Sequence, residues 1–166
     1  MNISSISNQY SIRKLSADDV AEVYELCSGN PLYYQYCPPF VSRESIVQDM
    51  NALPPHKNMS DKYYLGFFDR EKLVAIMDLI LAYPDRSTAW IGFFMTDRSI
   101  QNTGVGSRMI SELCSALKAI GFSFVSLGWV QGNPQAEHFW QKNGFLETGN
   151  RNQTDSYTIV FAQRML

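Results

Sequence analysis

The sequence predicts an α/β fold built on a mixed sheet of about seven strands, with about four helices packed against it. Short apolar or alternating runs indicate the strands, and longer segments with apolar residues three or four positions apart indicate the helices. They follow the order strand, two helices, three strands, helix, strand, helix and two strands. This interleaving is typical of a domain in which helices cover a sheet. With 166 residues, the chain is predicted to form one domain over residues 1–166.

The first half of the chain is predicted to supply four strands and two helices. Residues 1–9 are polar and serine-rich, and we expect them to form a frayed lead-in. Ser16 and Ser42 are suitable N-caps, because a serine oxygen can accept a hydrogen bond from a free N–H group of the first turn. Gly29 ends the first helix and Pro54 stops the second. The predicted elements are the strand Tyr10–Leu15, the helices Ser16–Gly29 and Ser42–Leu53, and the strands Tyr63–Phe68, Leu73–Leu81 and Ala89–Met95.

The fourth strand leads into a glycine-containing loop, Gln101–Arg108, and then into a long amphipathic helix that ends before Gly121. The apolar stripe of this helix consists of Val105, Met109, Leu113, Ala116, Leu117 and Ile120. The first N–H groups of a helix lack internal partners and lie at the positive end of its dipole, so a phosphate can bind there. Gly104 and Gly106 have no Cβ and would let such a ligand approach. A tight turn without a ligand is the alternative interpretation.

The last third of the chain is predicted to contain a strand, a short helix and two final strands. Asn133 is a suitable N-cap for the short helix, and Pro134 suits its first position. A polar loop over residues 149–155 would join the last two strands. The predicted elements are the strand Phe122–Val130, the helix Ala136–Lys142, and the strands Phe145–Thr148 and Ser156–Gln163.

Composition argues against several classes of protein. The formal net charge of −2 does not favour nucleic-acid binding, which needs a basic surface. Cys27, Cys37 and Cys114 are too few and too far apart to indicate a disulfide framework or a zinc site, and we expect no metal ion. The chain begins without the apolar core of a signal peptide, and no apolar run is long enough to span a membrane. We therefore expect a cytoplasmic protein that binds neither nucleic acid nor membrane.

Two motifs resemble those of the GNAT family of N-acetyltransferases. The first is Q-x-x-G-x-G, which begins at Gln101 and lies between a strand and a long amphipathic helix. The second is N-x-x-A-x-x-F-Y-x-x-x-G-F, which Asn133–Phe145 matches except at Trp140. The resemblance extends from about Tyr10 to the C terminus. It implies a mixed, mostly antiparallel sheet of about seven strands flanked by about four helices, splayed between the fourth and fifth strands. It also implies an acetyl-CoA-dependent N-acetyltransferase that acts on a primary amine of a small molecule or peptide.

The same resemblance implies which residues would hold coenzyme A. In the family, the glycine loop binds the pyrophosphate, while main-chain groups at the end of the fourth strand and the motif asparagine bind the pantetheine arm. The corresponding residues here are Phe94, Met95, Thr96, Gln101, Asn102, Thr103, Gly104, Val105, Gly106, Ser107, Arg108, Asn133, Phe139 and Trp140. Asn133 could also be a plain helix cap, and Phe139 could also be a core side chain.

The catalytic groups are less clear, because two positions depart from the family pattern. Trp140 stands where many members have a tyrosine that protonates the departing thiolate, and an indole cannot act as that acid. Gly128 stands where some members have an acidic residue. The remaining candidates are Asn133, Asp78, Glu137 and His138. Each of the last three could instead be an ordinary structural or solvated residue, and a chain of water molecules could carry the proton.

The aromatic connector Asn30–Phe40 falls where the family's variable first helices border the acceptor groove. Its tyrosines, Tyr33, Tyr34 and Tyr36, could bind a cation face-on. They could instead fill the core or form a homodimer contact. Two other functions stay open at this point. The chain could be a non-catalytic sensor or regulatory module that binds coenzyme A, or a structural or interaction domain in which the glycine loop is only a turn.

Overall fold

A seven-stranded sheet runs through the computed structural model, which describes residues 2–166. The strands are β1 (Ser11–Lys14), β2 (Lys62–Asp69), β3 (Lys72–Ile80), β4 (Thr88–Thr96), β5 (Phe124–Val130), β6 (Leu146–Gln153) and β7 (Thr158–Met165). Their order across the sheet is β1-β2-β3-β4-β5-β7-β6. Among the strands of residues 2–166, only β4 and β5 pair in parallel. The predicted mixed, mostly antiparallel sheet of seven strands is therefore confirmed.

Five α-helices accompany the sheet, and their caps are largely those expected from the sequence. The helices are α1 (Val20–Ser28), α2 (Pro31–Tyr36), α3 (Arg43–Asn51), α4 (Val105–Ala119) and α5 (Pro134–Lys142). Ser42 caps α3 by accepting a hydrogen bond from the Ser45 N–H, and Asn133 caps α5 in the same way. Ser16 caps a short 3₁₀ turn that leads into α1. Four of the five helices, all but α2, correspond to the four that the sequence predicts.

Two hydrophobic clusters cover the two faces of the sheet. Leu65 packs into one cluster together with α4, while its neighbour Tyr64 packs into the other with α1 and α3. Successive residues of a strand point to opposite faces, so a strand buried on both sides places adjacent residues in different clusters. This explains the nearly continuous apolar sequence of β3.

Between residues 2 and 40, the structure differs from the sequence analysis at two places. The lead-in is not frayed, because Ile3–Ser5 form a 3₁₀ turn and Ile6 is only 2% exposed within the core; Met1 lies outside the described residues. The aromatic connector Asn30–Phe40, for which the sequence analysis gives no helix, contains α2 at Pro31–Tyr36. Pro31 occupies the first helical position, where its missing N–H group has no consequence.

The polar loop predicted over residues 149–155 is largely strand. β6 continues to Gln153, with an irregularity between Glu147 and Arg151 where Gly149 has a φ of +84°. All eight residues of β6 are exposed, because this strand forms the edge of the sheet. An edge strand with both faces in solvent has no apolar alternation, so its sequence resembles that of a loop.

β4 and β5 pair only over their first four residues. Thr88–Ile91 lie opposite Phe124–Leu127, after which each strand continues without the other. Gly92 forms a bulge at this point, since Phe93 and Ile91 on either side of it pair with Asp78 and Leu79. Bulges bend a strand away from its neighbour. The predicted splay between the fourth and fifth strands is confirmed by this register.

Candidate active site

A cavity of about 430 Å³ opens where β4 and β5 separate. The separating strands line its floor, and α5 contributes Asn133, Ala136 and Trp140, which lie on one face of that helix. The opposite wall comes from the N-terminal helices and β2, through residues such as Tyr33, Asp49 and Tyr64. The fold thus brings Phe94, Asn133 and Trp140 of the predicted donor-binding set to one opening with Tyr33 and Tyr34, whereas the loop Gln101–Arg108 is not among the lining residues.

The first turn of α4 presents free main-chain groups. The N–H groups of Gly104, Val105, Gly106 and Ser107 make no hydrogen bond to any residue that the structure describes. Gly104 adopts a left-handed conformation with a φ of +85°, and a Cβ there would meet nothing within 4 Å. Four unpaired N–H groups at a helix start are well suited to a phosphate. Asn102, Thr103, Gly104 and Arg108 are exposed and accessible to such a ligand.

Gly106 has a different role from Gly104. A Cβ at Gly106 would lie 3.3 Å from Phe139 and 3.7 Å from Phe94. Its missing side chain therefore lets α4 approach the aromatic rings beside the cavity. The rings of Phe94 and Phe139 are stacked with centroids 6.0 Å apart. This packing ties the start of α4 to the separated part of β4.

Three residues of the predicted donor loop are held by structural hydrogen bonds. Thr103 Oγ1 donates to the Ile100 carbonyl at 2.6 Å. Gln101 donates from Nε2 to Asn30 Oδ1 at 2.6 Å and to the Thr96 carbonyl at 3.2 Å. Ser107 Oγ accepts a hydrogen bond from Asn143 Nδ2 at 3.2 Å. Gln101 therefore fixes the end of β4 against the segment between α1 and α2.

The predicted pantetheine contacts lie along the free edge of β4 and at the start of α5. Beyond Ile91, the β4 edge that faces β5 has no strand partner, while Phe94, Met95 and Thr96 pair with β3 on the other edge. Asn133 lines the cavity, and its Oδ1 accepts a hydrogen bond from the Ala136 N–H at 3.1 Å. The helix cap uses the carbonyl oxygen, so the amide nitrogen of Asn133 is the group that a ligand could meet.

Trp140 belongs to the core as well as to the cavity wall. It is 8% exposed, and its ring lies 4.9 Å from that of Phe139 and 5.2 Å from that of Phe145. It also lies 6.1 Å from the ring of Phe94. These contacts show a packing role for the indole.

Two of the three tyrosines predicted for the acceptor groove line the cavity wall opposite α5. Tyr33 and Tyr34 line the cavity, with ring centroids 5.0 Å apart, and Tyr33 also packs 5.5 Å from Phe93 of β4. Burial raises the pKa of both phenols above the ordinary value, so both stay neutral. Tyr36 is half-buried and is not among the residues that line the cavity.

Two of the four predicted catalytic candidates line the cavity and two do not. Asp78 and Asn133 line the cavity. His138 is exposed on α5, and Glu137 is half-buried and bonded to Gln141 at 3.4 Å; neither is among the lining residues. Burial raises the pKa of Asp78 above the ordinary value, although the neighbouring Lys62 opposes this rise.

Several cavity residues were not predicted from the sequence. Asp49 and Tyr64 line the acceptor side, Tyr157 reaches it from the start of β7, and Lys62 lies behind Asp78. A hydrogen bond with Cys37 raises the pKa of the Tyr157 phenol. Only Lys62 carried a signal, because the short turn between β2 and β3 makes it a diagonal cross-strand neighbour of Asp78. The others come together through contacts between distant segments.

Comparison with known families identifies the class of protein. The model of the acetyltransferase (GNAT) family matches residues 25–145. The chain belongs to this family and is an N-acetyltransferase; enzymes of the family use acetyl-CoA as the acetyl donor. No curated protein matches the chain significantly.

Solved structures share the fold over nearly the whole chain. An acetyltransferase from Thermus thermophilus has a TM-score of 0.76 at 18% identity, over 95% of this chain and 97% of that one. An acetyltransferase from Salmonella typhimurium that modifies the N-terminal serine of ribosomal protein L7/L12 has a TM-score of 0.72 at 15% identity, over 97% of both chains. Spermidine N-acetyltransferase from Vibrio cholerae, in complex with coenzyme A and spermine, has a TM-score of 0.69 at 17% identity, over 96% of both chains. At these identities the likeness concerns the fold alone. Within residues 2–166, no helix has the length and apolar character needed to cross a membrane.

Proposed function

We propose that this enzyme transfers the acetyl group of acetyl-CoA to a primary amine of a small molecule or peptide. The observation that carries the proposal is the opening between β4 and β5, next to a helix start with four free N–H groups. The pyrophosphate of the donor would bind the N–H groups of Gly104–Ser107. The pantetheine arm would follow the unpaired edge of β4 toward Asn133. The residues present therefore fit coenzyme A.

Acetyl transfer requires little of the protein beyond binding the two reactants in the correct orientation. The amine nitrogen attacks the thioester carbonyl carbon, an N–C bond forms, the C–S bond breaks, and the amine loses a proton. Main-chain N–H groups of β4 near Phe94 would stabilise the developing oxyanion, a contribution of about 3 kcal/mol per donor in enzymes that use it. Trp140 cannot protonate the thiolate. With a thiol pKa of about 8.5, the thiolate can depart and be protonated by water.

The acceptor side favours a cationic substrate before reaction. Tyr33, Tyr34 and Tyr64 provide aromatic faces, while Asp49 and Asp78 provide carboxylates. Both kinds of group attract ammonium ions. The structural neighbours include enzymes that act on a protein N-terminus and on spermidine, so both acceptor types are suitable first probes.

A calorimetric titration with acetyl-CoA tests donor binding. Gly104→Glu places a carboxylate at the proposed phosphate site, and Gly121→Glu is the matched control at the other end of α4. Both glycines have positive φ, +85° and +98°, and at neither would a Cβ meet an atom within 4 Å, so the backbone strain is similar. We expect wild type and Gly121→Glu to bind alike, and Gly104→Glu to bind at least about tenfold more weakly because of charge repulsion.

The result that contradicts donor binding is absence of binding by the wild type, or equal binding by Gly104→Glu.

A second experiment measures turnover of acetyl-CoA with spermidine and with a peptide that begins with serine. Release of coenzyme A with formation of the acetylated amine supports the proposal, while tight binding without turnover of either probe would favour a sensor of coenzyme A.

A further inference from the structure

A buried ion pair lies in the wall of the cavity. Lys62 Nζ is 2.8 Å from Oδ1 and 2.8 Å from Oδ2 of Asp78. The Lys62 side chain is 1% exposed and that of Asp78 is 16% exposed. Asp78 is among the residues that line the cavity, whereas Lys62 lies behind it. A ligand in the cavity could therefore contact the carboxylate but not the ammonium group.

The bulge of β4 makes room for this carboxylate. A Cβ built at Gly92 would lie 2.8 Å from Asp78 Oδ2, so any side chain there would displace the carboxylate. Gly92 is followed directly by Phe93 and Phe94, which line the cavity along the proposed path of the thioester. The bulge thus opens the splay and also places a carboxylate beside it.

The fifth strand cannot supply an alternative carboxylate. A Cβ at Gly128 would lie 2.6 Å from Ile159 Cγ2, a distance that real side chains do not adopt. The other carboxylate that lines the cavity is Asp49, which is exposed on α3. Burial raises the pKa of Cys27, a lining thiol on α1, to about 11, so this group is neutral near pH 7. Asp78 is therefore the inward-facing carboxylate nearest the separated strands.

The charges around Asp78 act in opposite directions. On β2, Lys62 favours the ionised form, and the phenol of Tyr64 is held neutral because burial raises its pKa. On α3, the charge of Asp49 favours the protonated form. On β4, Gly92 and Phe93 carry no charge. A carboxylate that is ionised by one cation yet disfavoured by burial can both exist as an anion and accept a proton.

From this geometry we propose that Asp78 is the catalytic base of the acetyl transfer and that Lys62 is its positioning residue. The inference rests on the proposed function, since it assigns the proton of the same reaction. The bound ammonium first releases one proton to water and becomes a neutral amine. As the amine nitrogen bonds to the acetyl carbon, a second N–H proton passes to Asp78 and the C–S electron pair leaves with the coenzyme A sulfur. The proton then returns through water to the thiolate, so the enzyme ends unchanged and coenzyme A leaves as the thiol.

The experiment compares Asp78→Asn, Lys62→Met and Asp19→Asn with wild type, using whichever of spermidine or the serine peptide turns over faster. Asp19 forms an ion pair with Arg13 at 2.6 Å that lies outside the cavity and is more exposed than the Lys62 pair, so its variant controls for the loss of a paired carboxylate elsewhere in the protein. We expect Asp78→Asn to lose about 10²- to 10⁴-fold in kcat with calorimetric acetyl-CoA affinity unchanged. We expect Asp19→Asn to keep the wild-type kcat.

The Lys62→Met variant tests whether Lys62 acts on the ionisation of Asp78 or only stabilises the fold. Without its cation, Asp78 is harder to ionise, so the acidic limb of the kcat/KM profile moves to higher pH. A carboxyl-carbon NMR titration, with the Asp78 signal assigned by its absence in Asp78→Asn, should show the same upward shift without any substrate. Unchanged kcat in Asp78→Asn, or a Lys62→Met titration identical to wild type, would overturn the inference. Both results leave the proposed function intact if the wild type still binds and transfers acetyl. A wild type that does neither would overturn both.

Discussion

At the scale of single residues, Gln101 shows how a motif residue can act through the fold. The family motif begins with this glutamine, yet its Nε2 bonds to Asn30 and to the Thr96 carbonyl. Gln101→Glu should therefore destabilise the protein by about 1–3 kcal/mol, because a carboxylate would face two acceptors without a donor. Urea denaturation measures this loss.

The control for this prediction is Gln48→Glu, at an exposed position of α3 whose side chain makes no hydrogen bond to any residue that the structure describes. It should change the free energy of unfolding by less than about 0.5 kcal/mol. A Gln101→Glu protein as stable as wild type would show that the bridge between α1 and β4 contributes little. It would then favour direct contact of Gln101 with the donor.

The glycines illustrate what could be predicted from sequence at this scale. The sequence predicts that Gly104 and Gly106 both permit ligand approach, and of the two only Gly104 has open surroundings. Gly106 instead makes room for Phe139, Gly128 for Ile159, and Gly92 for Asp78. These three requirements come from neighbours on other elements, so no local pattern could have distinguished them.

At the scale of elements, the start of α1 should make stability depend on pH. Arg13 forms two hydrogen bonds with Asp19, at 2.6 and 2.9 Å, and holds the pKa of that carboxyl below its ordinary value. A depressed pKa means that the stabilisation is present above the unfolded value of about 3.9 and is lost as pH falls through the folded value. Because Arg13 is half exposed, we expect the contribution to be about 1 kcal/mol or less.

Urea denaturation of wild type and Asp19→Asn between about pH 7 and pH 2 checks this prediction. Wild type should be the more stable near neutral pH, and the difference should shrink toward zero in acid. A difference that stays constant across the range would show that the carboxylate charge has no part in it.

Most elements could be predicted because their signals are local. Serine caps, the α4 stripe and the glycine after that helix all depend on neighbouring residues. The exceptions have physical reasons. α2 has six residues, too few for a helical period, and β6 is a fully exposed edge strand without apolar alternation. Ile6 is a single apolar residue in a polar lead-in, so its burial could not be expected.

The residues of the candidate site likewise fall into those that a local sequence pattern indicates and those that only the fold brings together. The predicted donor loop lies in one continuous stretch, so the free N–H groups of its helix start could be expected from the sequence, whereas the contact of Gly106 with Phe139 and the hydrogen bonds of Gln101 could not. The acceptor side combines α2, α3, β2, β3 and the start of β7, so Asp49, Lys62, Tyr64 and Tyr157 meet only through the fold. Asp78 could be singled out as a carboxylate in an apolar strand, but its partner and its exposure to the cavity could not.

At the scale of the whole molecule, the cavity lies between two groups of elements. α4 and α5 with the free edge of β4 form the proposed donor side, and the N-terminal helices with β2 and β3 form the proposed acceptor side. One short parallel ladder, Thr88–Ile91 with Phe124–Leu127, holds β4 and β5 together below the opening. The central claim is that acetyl-CoA occupies this opening with its pyrophosphate on the first turn of α4.

Hydrogen exchange with and without acetyl-CoA, resolved to single amides, tests this claim most directly. Slower exchange should appear at Gly104–Ser107, whose N–H groups are unpaired without ligand, and at one or more amides of Phe93–Thr96 on the free edge of β4. The amides of Thr88–Ile91 and Gly121 should exchange at unchanged rates, because they lie outside the proposed contacts. Protection elsewhere on the surface, with no change at Gly104–Ser107, would contradict the account.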